Sequence, residues 1–151
     1  MRRLRRRVFV SRKSLRILLD TSFLLPFLGI DVGELITKAL QRLRGYELYY
    51  SELSLLEALW KIVKVVNIDK MSIVLEGLAL IRRDLKLAPI DERATKIALE
   101  LYRLGHRDLI DNLLYGITLS QNLKLLTIDE ELISFVKSND YPDTFISPNE
   151  L

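Results

Sequence analysis

In the stretch LRILLDTSFLLPFLGI, one carboxylate, Asp20, interrupts a nearly unbroken apolar run. An ionised carboxylate among Ile17, Leu18, Leu19, Phe23 and Leu24 is costly to bury unless a cation, hydrogen-bond donors or a shifted pKa compensates. Three more acids occupy related positions. Asp129 follows the apolar segment KLLT, Asp111 lies in the first turn of the helix leading into that segment, and Glu57 lies one turn into the helix after ELYYS. If these segments are strands of one parallel sheet, all four acids reach the carboxyl ends of the strands, where open α/β sheets bind their ligands. Oxygen-only clusters suit hard divalent cations such as Mg2+ or Mn2+, which activate water and stabilise the leaving oxygen of a phosphodiester.

The elements that must position these acids follow from the apolar pattern. RILL reads as a strand, and DTS as a run of capping residues opening a helix. Asp31 and Glu34 resemble a capping box before Leu35, Ile36, Ala39, Leu40 and Leu43, a helix that stops at Gly45. ELYYS is a second strand, and Leu53 to Val66 a helix whose polar residues Ser54, Glu57, Lys61 and Lys64 form a single stripe. A further apolar helix is expected from Met71 to Arg83, and this pair carries enough apolar surface to predict a homodimer. LKLAPI, LKLLTID and DTFIS are the remaining strand candidates, with helices from Asp91 to Gly105, Asp108 to Gln121 and Glu130 to Lys137. Strands alternating with helices imply a three-layer α/β/α sandwich with a central parallel sheet.

Each acid also has a structural use that leaves chemistry aside. Asp20 can cap the following helix, Glu57 can pair with Lys61 at i, i+4, and Thr127 with Glu130 forms a capping pattern around Asp129. Asp108 is assigned to the cap of its helix, which leaves Asp111 free. His106, the one histidine, reads as a loop or helix-end residue.

With 151 residues, 49% of them hydrophobic, the chain fits one domain with a substantial core. It contains no cysteine, which excludes disulfides and thiolate metal sites, and a lone histidine argues against zinc. The formal charge of +3 conceals an asymmetry: residues 1 to 16 carry eight basic groups and no acid, leaving 15 basic against 20 acidic residues in the remainder. The division is therefore a basic arm over residues 1–14, with Arg2, Arg3, Arg5, Arg6 and Arg7 as candidate RNA contacts, and one domain over 15–151. The arm does not read as a secretory signal, because Asp20 and Pro26 break the apolar region and no small-residue cleavage site follows. No run reaches the roughly 20 apolar residues of a membrane span, so a soluble cytoplasmic protein is expected.

LLDTSFLL, SELSLLEALWK and DLIDNLLYGITLSQNLKLLTIDEEL resemble the three signature blocks of the PIN-domain family, which includes VapC-type toxin ribonucleases and ribosomal-RNA processing endonucleases. The resemblance runs from about Arg16 to Phe135 and places the family's acids on Asp20, Glu57, Asp111 and Asp129, with Glu52 a weaker substitute for Glu57. It implies a Mg2+- or Mn2+-dependent endoribonuclease in which those four are catalytic and hold metal, supported by the polar residues Ser22 and Thr127. It also implies a frequent dimeric state and an antitoxin protein as partner if the chain is a toxin. An RNA-processing or DNA-directed PIN nuclease and a catalytically silent RNA-binding module are the alternatives. A haloacid-dehalogenase phosphatase is disfavoured, since DTS lacks the second aspartate two residues on, and a phosphoacceptor receiver domain is remote.

Overall fold

A computed structural model describes residues 15–151; the arginines expected to contact RNA, Arg2, Arg3, Arg5, Arg6 and Arg7, lie outside the described residues. The chain runs β1 (Arg16–Leu19), α1 (Thr21–Leu24), α2 (Glu34–Gln41), β2 (Glu47–Tyr50), α3 (Glu52–Val65) and α4 (Met71–Asp84). It continues with β3 (Lys86–Leu87), α5 (Glu92–Leu104), α6 (Leu109–Gln121), β4 (Lys124–Leu126), α7 (Glu130–Ser138) and β5 (Phe145–Ile146). The five strands form one sheet of order β3-β2-β1-β4-β5 with every pairing parallel.

β1 lies at the centre because its residues are buried from both sides. Side chains alternate across a strand, and Ile17 and Leu19 enter one core with Tyr50 and Leu126, whereas Leu18 enters the other with Tyr49 and Leu125. The first core is closed by α1, α2, α3 and α4 through Phe23, Ile36, Ala58 and Ile81, and the second by α5, α6 and α7 through Leu101, Tyr115 and Val136. The α/β/α sandwich expected from the alternation of elements is thus present. Within the second layer α5 and α6 touch almost backbone to backbone: a Cβ added to Gly116 would lie 2.5 Å from the carbonyl oxygen of Ala94.

Three local expectations differ from the structure. The Asp31–Glu34 capping box does not form; the carboxylate of Asp31 accepts from the amide of Gly33 at 2.9 Å, Gly33 takes the N-cap position of α2, and the helix ends at Gln41, short of Gly45. The segments LKLAPI and LKLLTID contribute only two and three residues of strand, since an edge strand pairs on one side and β4 gives way to the turn that begins at Thr127. Among the described residues no helix is long and apolar enough to cross a membrane.

Candidate active site

The chain steps outward from β1 through β2 to β3, then returns to lay β4 against the other side of β1. The connections that leave β1 and β4 therefore pass to opposite faces of the sheet, and the crevice between their carboxyl ends is the switch point at which such sheets hold ligands. Asp20 and Asp129 stand on its two sides. The amide of Asp20 donates to the carbonyl of Leu126 at 3.1 Å, which ties the end of β1 to the end of β4. Its carboxylate accepts from the amide of Thr21 at 2.6 Å, as the N-cap of α1, and from Thr127 Oγ1 at 2.7 Å. Thr127 Oγ1 also accepts from the amide of Asp129 at 3.1 Å, and Asp129 Oδ1 in turn caps α7 by accepting from the amide of Leu132 at 3.1 Å. One buried hydroxyl thus connects the two aspartates.

Asp111 enters from α6. Asp108 Oδ1 accepts from the amide of Asp111 at 3.1 Å, so the cap falls to Asp108 as the sequence indicates and the carboxylate of Asp111 is left for the crevice. Glu57 enters from α3 with its side chain about a quarter exposed; its nearest cation is Lys61 Nζ at 3.7 Å, the i, i+4 pair read from the sequence. Charge links Asp20 to Glu57 and Asp129, and Asp111 to Asp20 and Asp129. Burial raises the pKa of Asp20, hydrogen bonds from Thr127 and Thr21 oppose the rise, and the charges of Glu57 and Asp129 add to it. Asp111 is pushed up to about 9, by burial first, then by its hydrogen-bonding contact with Asp129 and the charges of Asp108, Asp20 and Asp129. Raised pKa values at two neighbouring carboxylates, Asp20 and Asp111, are the kind of perturbation that functional sites show.

A family model described as PIN domain matches residues 17–137, a span that holds all four acids. The chain belongs to the PIN-domain family. At the family level this places it among nucleases. Solved PIN-fold structures superpose on it at low identity: FitAcB from Neisseria gonorrhoeae at 18% identity and TM-score 0.65, covering 89% of this chain and 99% of that one. VapBC2 from Rickettsia felis, bound to a DNA fragment from its promoter, gives 14% identity, TM-score 0.62 and coverage of 88% and 98%. VapC20 from Mycobacterium tuberculosis, a sarcin-ricin-loop cleaving toxin, gives 15% identity, TM-score 0.55 and coverage of 84% and 97%. A comparison with curated proteins finds no match.

In this PIN domain the donors near the crevice are carboxylate oxygens, a set that fits a hard divalent cation. Among the described residues no group of three or more acidic or histidine side chains is gathered into a ready-made ion cage. Asp20 and Asp129 have oxygens engaged by amides or by Thr127, which holds them to their strand ends. Of the two hydroxyls named as supporting, Thr127 bonds to both Asp20 and the amide of Asp129, and Ser22 makes no hydrogen bond to the acids among the described residues. Its neighbour Thr21 is buried instead, with Oγ1 unpaired, and Ser54 on α3, one turn before Glu57, leaves a second buried hydroxyl unpaired. Glu52 takes no part in the cluster: Arg82 binds it with both guanidinium nitrogens, at 2.6 and 3.2 Å. His106 is buried rather than a loose helix end, its Nδ1 2.6 Å from Asn112 Oδ1. The sequence gives no signal for this last contact beyond the six-residue spacing of the pair.

Proposed function

We propose that this PIN domain is a Mg2+- or Mn2+-dependent endoribonuclease, the toxin of a toxin–antitoxin pair, with Asp20, Glu57, Asp111 and Asp129 as its metal-holding residues. One observation carries the reading: at the switch point burial, contact with Asp129 and the charges of Asp108, Asp20 and Asp129 push Asp111 up to about 9, while Glu57 and Asp129 act on Asp20, and a divalent cation would relieve this repulsion. Bound there, such ions supply a hydroxide-like nucleophile at neutral pH and charge stabilisation at the phosphate. The chain's own part is positional. Thr127 fixes Asp20 and Asp129 relative to one another, and such outer hydrogen bonds orient metal ligands. Asp111 must release its proton for an ion to bind, so occupancy rises with pH.

The toxin assignment takes support from fold neighbours solved as toxin–antitoxin complexes and from one described as a sarcin-ricin-loop cleaving toxin. An antitoxin protein and a homodimeric state fit the apolar face of α3 and α4, where Leu56, Leu59, Trp60, Val63, Met71 and Leu75 are exposed. A cytoplasmic location accords with an RNA substrate. The test is incubation of the purified protein with structured and single-stranded RNAs in Mg2+, Mn2+ or EDTA. Cleavage that EDTA abolishes is expected; a protein that cuts no RNA in either ion overturns the proposal.

A further inference from the structure

The corner between α5 and α6 holds its residues more firmly than capping requires. Gly105, at φ +123°, turns the chain out of α5. His106 then points inward: it is buried, its Nδ1 lies 2.6 Å from Asn112 Oδ1, and its carbonyl accepts from Asn112 Nδ2 at 2.7 Å. Its ring packs 5.2 Å from that of Phe135. This clasp joins the loop to α6 and fixes where the next residue emerges.

That residue is Arg107. It is exposed, and its guanidinium carbon lies 4.7 Å from the centroid of the Tyr102 ring, which is itself 38% exposed. Arg82 and Arg83 have their charge answered by Glu52 and Asp84, whereas Arg107 makes no ion pair among the described residues. One position on, Asp108 caps α6 at Asp111, and its charge helps to raise the pKa of Asp111. A planar cation resting on an aromatic ring is thus presented from a clasped loop four residues before Asp111.

Residues 17 to 151 carry 15 basic and 20 acidic groups, so a polyanion approaching the crevice needs a local cation to overcome general repulsion. We propose that Arg107 and Tyr102 form a contact for an unpaired nucleotide of the RNA strand entering the acid cluster, the guanidinium lying between the tyrosine ring and a base with its edge toward a phosphate. The contact rests on the ribonuclease reading given above and adds where the strand is held. Stacking on arginine and aromatic planes is available to an unpaired base and not to one inside a duplex, so the pair selects single-stranded substrate.

The test uses the full chain in EDTA, where no ion supports cleavage, and measures binding of a short single-stranded RNA carrying 2-aminopurine, by anisotropy and by quenching of the stacked base. Arg107→Ala and Tyr102→Ala should each weaken binding about tenfold and reduce quenching. Tyr102→Phe, which keeps the ring, should bind as the unaltered protein does. Arg107→Lys, which keeps the charge without the plane, should retain the salt dependence of binding and lose the quenching. Melting temperatures should stay level, because both side chains are exposed; if Tyr102→Ala melts early, the Arg107→Lys and Tyr102→Phe pair decides. Alanine variants that bind and quench as the unaltered protein does, or a duplex of the same sequence bound as tightly as the single strand, would overturn the contact. Absence of EDTA-sensitive cleavage by the unaltered protein is the separate failure, that of the ribonuclease reading.

Discussion

Asp111→Asn isolates the electrostatic strain of the site from its catalysis. In the unfolded chain the Asp111 carboxyl titrates near 3.8, and in the folded protein near 9. Between those values the folded protein holds a proton that the unfolded chain has released. Stability is therefore highest at low pH and falls as pH rises through this window, by at most about 1.4 kcal/mol per pH unit for one proton. From pH 5 to 8 that bound is about 4 kcal/mol, and solvent screening at a partly exposed crevice reduces it to about 1–2 kcal/mol. For a domain of this size the corresponding fall in melting temperature is about 2–8 °C. Asparagine imitates the protonated acid and carries no such linkage, so the variant should lose less stability across the same range. The raised pKa of Asp20 tilts both proteins alike, which makes the difference between them the quantity to read. The assay is thermal melting by circular dichroism in EDTA at steps from pH 5 to 8. Saturating Mn2+ should flatten the profile of the unaltered protein, because the ion takes the place of the proton. Parallel profiles for the two proteins in EDTA would refute the reasoning.

Four more outcomes are expected. Asp20→Asn should reduce RNA cleavage to background and remove most of the Mn2+-induced rise in melting temperature, while the apo protein stays folded, as an asparagine can still cap α1. Trp60→Glu or Leu75→Glu, at positions 62% and 58% exposed, should yield monomers by light scattering with the fold retained if α3 and α4 form the dimer contact. Gly116→Ala should lower stability by about 1–3 kcal/mol in denaturant unfolding, because its new methyl must push α6 away from the Ala94 carbonyl. Removing Met1 to Arg12 should weaken RNA binding and flatten its dependence on salt, measured by titration at several ionic strengths.

Which of these residues a reader of the sequence can place follows from the range of the interactions involved. The alternation that sends Ile17 and Leu19 to one core and Leu18 to the other is local, and so is the cap that Asp108 gives to α6; both can be read from neighbours a few positions away. The convergence of Asp20 and Asp129 follows almost as directly, since each ends an apolar strand of a parallel sheet. Glu52 is different. What removes it from the site is Arg82, thirty residues on, and nothing in the local spacing of either residue announces their pairing. The hydroxyls divide in the same way: Thr127 reaches Asp20 across two adjacent strands, while only the packing of α1 and α3 shows that Thr21 and Ser54 are buried without partners. The apparent capping box at Asp31 fails because Gly33, in a left-handed conformation, takes the N-cap position that the pattern assigned to the aspartate.

The two aspartates at the strand ends each hold a helix start as well as facing the crevice, and Glu57 and Asp111 hold none. This sets an order in which activity can be lost over generations. A chance replacement of Asp129 by an apolar residue uncaps α7 at a cost of about 1 kcal/mol, and one at Asp20 leaves Thr127 and the first turn of α1 without an acceptor, so either change harms folding as well as the proposed activity. Replacement of Asp111 by a neutral residue relieves repulsion and leaves every helix start intact. Under the proposed function, descendants of this chain that abandon cleavage and keep the fold are therefore expected to lose Asp111 before Asp20 or Asp129.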